Sequence, residues 1–178
     1  MSDAAVAEFT RLVDALVAQA APIDVNTMSK LAGEIGKTFG VKPDEVAILT
    51  TTADEKFLQF VLPLALQKIG SIPVTSTTAL VARTAREKRP ELINNFTIAR
   101  HSTVFEAVPL EPKHRGDPIQ KIMSAPVIVN SRIAGVLQVS HKGKTVTSAG
   151  PDFNPKELTE LSAYATQVGR CFQFLKLD

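Results

Sequence analysis

The chain has 178 residues, the size of one compact domain that buries a core without disulfides or a structural metal. Hydrophobic residues make up 44% and charged residues 21%, which excludes a disordered or collagen-like chain. Twenty Lys and Arg against eighteen Asp and Glu leave a formal charge of +2, too balanced for wholesale binding to nucleic acid or to an anionic membrane.

A lone cysteine, Cys171, excludes an intramolecular disulfide and suits a reducing compartment. The N-terminal "MSDAAVAEFTRLVDALV" carries acids through its apolar stretch and lacks the basic start of a secretory signal. No apolar run approaches the ~20 residues needed to cross a bilayer. The expectation is a soluble, cytoplasmic protein in which the sequon Asn95-Phe96-Thr97 stays unglycosylated.

In chain order, Val6, Phe9, Val13, Leu16 and Ala20 recur at spacings of three and four and predict a first helix ending before Pro22. "NTMSKLAGEIGKTFG" predicts a second, with Met28, Leu31, Ile35 and Phe39 on one face and Gly40 in the left-handed C-terminal position. The β-branched "EVAILTT" that follows argues against a DNA-reading helix-turn-helix. With "KFLQFVLPL" it flanks the turn "TADE", predicting an antiparallel pair whose second strand Pro63 ends or places at an edge. "GSIPV" predicts a short further strand.

"STTALVARTAREK" then predicts a helix capped by Ser76, with Leu80 and Thr84 on one face, Arg83, Arg86 and Lys88 nearer water, and Pro90 beyond its end. Residues 94–118 have no strong period apart from a short strand in "TVFEAVPL", and a connection this long is the expected place for a binding loop or lid. Residues 83–121 carry eight Lys or Arg against five acids, which gives the middle of the chain a mildly basic cast. "APVIV" and "IAGVLQV", joined by Asn130-Ser131-Arg132, read as central strands covered on both faces. A last helix opens with Asn154 as N-cap, Pro155 at the first position and Glu157 closing a capping box, and its stripe runs through Leu158, Leu161, Ala165, Val168, Phe172 and Leu175. The order of elements gives an α+β class and a single domain over residues 1–178, with a packing or dimerising helix in 1–24 and the core in 25–175.

Reactive motifs are scarce. Gly143-Lys144-Thr145 matches only the tail of a phosphate-binding loop, because the earlier glycine falls at Gln138 and no helix follows directly. His101, His114 and His141 stand at no metal-ligand spacing, so no metal site is expected. Cys171 borders the apolar stripe of the last helix and reads as an inert buried thiol. No residue pattern gives a positive sign of catalysis, and no enzyme activity or particular cofactor is expected.

"SAPVIVNSRIAGVLQV" followed by "FNPKEL" resembles the GAF domain, a small-molecule-sensing relative of the PAS fold. In that family a strand reading roughly Ser-x-x-x-x-Pro-Leu precedes a turn and an Ile-Gly-Val-Leu strand, and Phe-x-Pro-x-Asp/Glu-Leu opens the last helix. Upstream, "GSIPVTSTTALVARTAREKRPELINNF" is similar to the family's strand, helix and short strand, so the likeness covers about residues 25–175. Thr75 to Thr78 replace the usual Gly-rich helix entry, and the cyclic-GMP signature is missing. Cys171 matches neither the bilin-attaching nor the methionine-sulfoxide-reducing members.

The resemblance implies a central antiparallel sheet of about five or six strands. The N- and C-terminal helices would lie on one face, and the middle helix and long loop over a pocket on the other. Thr77, Arg83, Asn95, His101, Phe105 and Met123 are its candidate ligand-binding residues, with Met123 to Ala125 flooring the pocket. The implied function is sensing or regulation: a small organic molecule or anion alters the surface shown to a separate effector protein or to a second copy. The alternative is a ligand-free interaction module that forms a homodimer through its terminal helices.

Overall fold

The computed structural model describes residues 2–68, 70–96, 104–105, 108–109 and 117–177, the two pairs in the middle through their backbone alone. Helix α1 spans Ser2–Ala18 and α2 spans Val25–Phe39. The side chain of Asp24 caps α2 by accepting from the Thr27 amide at 2.8 Å, and Gly40 ends it at φ 65°, the left-handed conformation expected there. Strands β1 (Val46–Thr51) and β2 (Phe57–Leu62) pair antiparallel, β2 stopping before Pro63. Strand β3 is Ser71–Pro73 and β4 is Glu91–Ile93, with α3 (Leu80–Glu87) between them. Two-residue strands β5 (Val104–Phe105) and β6 (Val108–Pro109) pair with each other, followed by the long strands β7 (Ile119–Val129) and β8 (Arg132–Lys142) and helix α4 (Pro155–Phe172).

The main sheet is antiparallel, six-stranded, in the order β3-β2-β1-β8-β7-β4, so the chain has the α+β class read from its sequence. Asn130 (φ 52°) and Ser131 (φ 65°) alone make the β7–β8 turn; the tight two-residue hairpin requires positive φ at both, which leaves Arg132 inside the strand opposite Val129. No helix of the described residues is long and apolar enough to cross a membrane.

Strand alternation sorts the core into two layers. On one face Ile48, Met123, Ala125, Val127, Leu137 and Val139 pack with Phe9 and Val13 of α1, Met28 and Ile35 of α2 and Leu161 and Val168 of α4. On the other, Ala47, Leu49, Phe60, Ile122 and Val136 pack under Leu80, Val81 and Ala85 of α3. Three helices therefore cover the first face, and among the described residues the second is covered by the short α3 with Leu66 and Phe96 beside it.

Two glycines permit the first layer. A Cβ on Gly169 would come within 3.0 Å of Val127 and Val129, so its absence lets α4 lie close on β7. A Cβ on Gly135 would stand 2.0 Å from the Leu49 carbonyl oxygen and 2.7 Å from the Phe172 ring. The α4 capping box forms as expected: the Glu157 amide donates to Asn154 Oδ1 at 2.9 Å, and the Asn154 amide to Glu157 Oε1 at 3.1 Å. Beyond α4 the chain returns beside Ile23, whose amide donates to the Phe174 carbonyl at 2.7 Å while the Lys176 amide donates to the Ile23 carbonyl at 2.9 Å.

Helix α3 differs from the sequence expectation. It begins at Leu80 behind an extended Ala79, and Ser76 is not its cap. The Ser76 hydroxyl instead accepts from the Ala79 amide at 3.2 Å, and Arg86 donates to the Ser76 carbonyl at 2.6 Å. Local hydroxyl-to-backbone bonding in a Ser/Thr run competes with helix formation, and here it converts the intended first turn into a loop.

Candidate functional site

The face of the sheet under α3 is where polar side chains enter an otherwise apolar interior. Ser124 of β7 and Gln138 of β8 are directly paired across the strands, and both point toward α3 because Met123, Ala125, Leu137 and Val139 take the other face. Thr84 faces them from the helix, one turn after Leu80. Thr84 and Gln138 are 1% exposed and Ser124 is fully buried.

Their hydrogen bonds form one row. Gln138 Nε2 donates to Ser124 Oγ at 3.0 Å, Ser124 Oγ and Thr84 Oγ1 are 2.7 Å apart, and Thr84 Oγ1 donates to the Leu80 carbonyl at 3.0 Å. Gln138 Oε1 is buried with no hydrogen-bond partner among the described residues. Further along β8, Ser140 donates weakly to the Glu45 carbonyl at 3.4 Å. A buried carbonyl without a partner is destabilising by about 1–3 kcal/mol relative to a satisfied one, so such groups are rare in native interiors.

A charged pair flanks the row. Glu91 of β4 lies opposite Ser124 of β7, and the guanidinium of Arg83 on α3 binds its carboxylate through both oxygens, one at 3.0 Å. Nearby, Asn94 ties the start of the 94–118 segment to the approach to α4: its Nδ2 donates to the Phe153 carbonyl at 3.0 Å, and the Phe153 amide donates to its Oδ1 at 2.9 Å.

At the far end of β7 and β8, on the α4 side, Lys121 is buried and donates to the Gly150 carbonyl at 2.6 Å while pairing with Asp152 at 2.8 Å. His141 stacks on Phe153 with ring centroids 4.3 Å apart. Burial holds its pKa below the usual value; the Lys121 charge acts in the same direction, and Glu45 and Glu157 oppose it. These groups pin the 143–153 loop.

The residues expected at the ligand site divide. Thr77 is exposed in the bend before α3 and Asn95 is exposed just before Phe96. Arg83 does face the α3 side, but its fork is engaged by Glu91. Met123 requires a correction: it is fully buried among the residues packed under α1, α2 and α4, so of the expected floor 123–125 only Ser124 faces α3. The reason is the two-residue period of the strand, which sends Met123 and Ala125 to the same side. His101 and the Phe105 side chain lie outside the described residues; the Phe105 backbone pairs with Val108.

The sequence reading includes Ser124 only as part of the floor 123–125 and does not single out Gln138. A signal for Gln138 is present: it is a polar interruption in "IAGVLQV", a strand read as buried on both faces, where a polar side chain demands an internal partner.

Chemically the row offers neutral hydrogen-bonding groups. Among the described residues, neither hydroxyl hydrogen-bonds to an imidazole or carboxylate that would make it a nucleophile. Cys171 is fully buried, and burial raises its thiol to about 11. No group of three His, Cys, Asp or Glu among the described residues is placed to hold a metal.

No curated protein matches the chain. Among solved structures, the chain is similar to the GAF domain of an Acinetobacter phosphoenolpyruvate-protein phosphotransferase, at 13% identity and TM-score 0.69 over 95% of this chain and 90% of that one. The corresponding domain from Coxiella burnetii gives 10% identity and TM-score 0.63 over 92% and 90%. A free methionine-R-sulfoxide reductase from Neisseria meningitidis, solved with its substrate, gives 14% and 0.61 over 95% and 89%. At these identities the likeness concerns the fold. The model of the GAF domain family, however, matches residues 26–172, the whole of the main sheet with α2, α3 and α4. The chain therefore belongs to the GAF domain family, whose members are sensory and regulatory modules of signalling proteins.

Proposed function

We propose that this domain senses a small organic molecule held between α3 and the sheet, and that occupancy of this site changes the surface offered to an effector protein. One observation carries the reading: the buried Thr84–Ser124–Gln138 row on the face under α3. A module with a purely structural task gains more from apolar side chains there, since burying polar groups is destabilising unless every one is satisfied. The opposite face, under three helices, is filled mainly by apolar side chains.

The test is a thermal-shift screen of the purified protein against a broad metabolite set, with native mass spectrometry for a carried ligand. A ligand that raises the melting temperature and perturbs Thr84, Ser124 and Gln138 in NMR spectra is the expected result. A protein that binds no metabolite, with the α3 face closed by its own side chains, ends the proposal.

A second reading, self-association through α1, rests on Leu12. It is 39% exposed and lines a groove of about 230 Å³ with Ala5, Glu34, Lys37 and Tyr164. Dimerisation detected by light scattering and abolished by Leu12→Arg supports it; a monomer at high concentration rejects it.

A further inference from the structure

The proton count along the polar row assigns a chemistry to the ligand, given the sensor reading above. Each hydroxyl has one proton to donate. Thr84 Oγ1 gives its proton to the Leu80 carbonyl, so in its 2.7 Å contact with Ser124 it accepts, and Ser124 is the donor. Ser124 Oγ can then only accept from Gln138, which places the Nε2 end of the carboxamide against it at 3.0 Å.

The reversed carboxamide is the poorer arrangement. Thr84 would donate to Ser124 and Ser124 to Gln138 Oε1, making two hydrogen bonds in place of three and leaving both Nε2 protons unbound. The side chain is therefore oriented with its carbonyl oxygen, Oε1, as the group without a partner among the described residues, an acceptor buried away from water.

We infer that the domain takes an uncharged ligand presenting an N–H or O–H donor, and that Gln138 Oε1 accepts this bond. Amide, lactam or nucleobase edges and neutral hydroxyl compounds have the required chemistry. A bare anion does not, because it would meet the negative end of the carboxamide dipole in a low-dielectric interior. Among the described residues of this face, Arg83 is held by the Glu91 carboxylate. An organic cation is disfavoured too, since that same carboxylate is neutralised and the row carries no charge.

The assay is NMR titration of ¹⁵N-labelled protein with three probes: 2-pyrrolidinone, which has a lactam N–H; N-methyl-2-pyrrolidinone, which lacks it; and sodium acetate. The lactam is expected to shift the Gln138 side-chain amide together with Ser124 and Thr84, and to bind about tenfold more tightly than its N-methyl analogue or acetate. Gln138→Met, which keeps the length and apolar stem but removes the acceptor, is expected to erase that preference. If that variant does not fold, the matched probes on the parent protein decide alone. Equal binding of the N-methyl compound or acetate at these residues, or a preference that survives Gln138→Met, overturns the inference and leaves the sensor reading standing. No perturbation of the row by any probe also overturns it, whereas the sensor reading falls only if the metabolite screen finds no ligand.

Discussion

Gly135→Ala tests how the sheet is assembled at its centre. The new Cβ would be 2.0 Å from the Leu49 carbonyl oxygen, where carbon and oxygen ordinarily stay about 3.3 Å apart. The obstacle is the backbone of β1, so relief requires β1 to recede from β8 by about 1 Å or the β1–β8 ladder to break. Phe172, 2.7 Å away, must move as well, and that disturbs the end of α4. Overpacking of a rigid site costs about 1–3 kcal/mol, and a clash with backbone belongs at or above the top of that range. At about 3 kcal/mol, a domain of this size loses roughly 6–12 °C in melting temperature. Urea denaturation and differential scanning fluorimetry measure the loss. Gly33→Ala is the control, since a Cβ there meets no atom within 4 Å in the middle of α2 and is expected to stabilise by about 0.5–1 kcal/mol. A Gly135→Ala protein within about 1 kcal/mol of the parent, with β1 and β8 amides equally protected from exchange, would refute the close-approach reasoning.

Asn154→Ala removes one half of the α4 capping box and is expected to lower stability by about 1 kcal/mol, read as a shift of about 2–4 °C; an unchanged melting curve contradicts the cap assignment. Cys171, buried and with its thiol pushed up to about 11, is expected to react with a maleimide at neutral pH only as fast as the protein unfolds; labelling at the rate of a free thiol contradicts its burial. His141 has a folded pKa below its unfolded value, so between the two the unfolded chain binds more protons. Stability is full above about pH 6.5 and declines as the pH falls below it. Urea midpoints across that window are expected to slope less in His141→Phe, and a slope equal to that of the parent assigns the titration elsewhere.

Much of the scaffold was legible because its signals are local. The β7–β8 strands announce themselves as β-branched runs around Asn130-Ser131, and α4 by its capping box. The left-handed end of α2 at Gly40 follows from glycine alone. Reading failed where local and long-range bonding compete. Ser76 has the composition of a helix cap, but the Arg86 guanidinium holds its carbonyl in a loop, and that contact spans ten residues. The site was harder still. Arg83 is expected from its place on the middle helix, but its partner Glu91 reaches it only because β4 turns back beside α3. Met123 was chosen for its place in the strand, and the choice of face depended on which neighbours alternate with it. Ser124 and Gln138 lie fourteen residues apart and meet only through the hairpin register.

The short backbone pairing of Ile23 with the residues around Leu175 has a mechanical meaning. The body of the domain, from α2 to α4, enters and leaves through one hydrogen-bonded point. The residues before α2 and those after α4 are thus fixed side by side. The α1 helix is further coupled to α4 by the Asp14–Arg170 ion pair at 2.8 Å and the edge-on contact of Phe9 with Tyr164. The N-terminal flank is therefore tied to the last helix as well as to the sheet it covers, so the ends of the domain are held at more than one point.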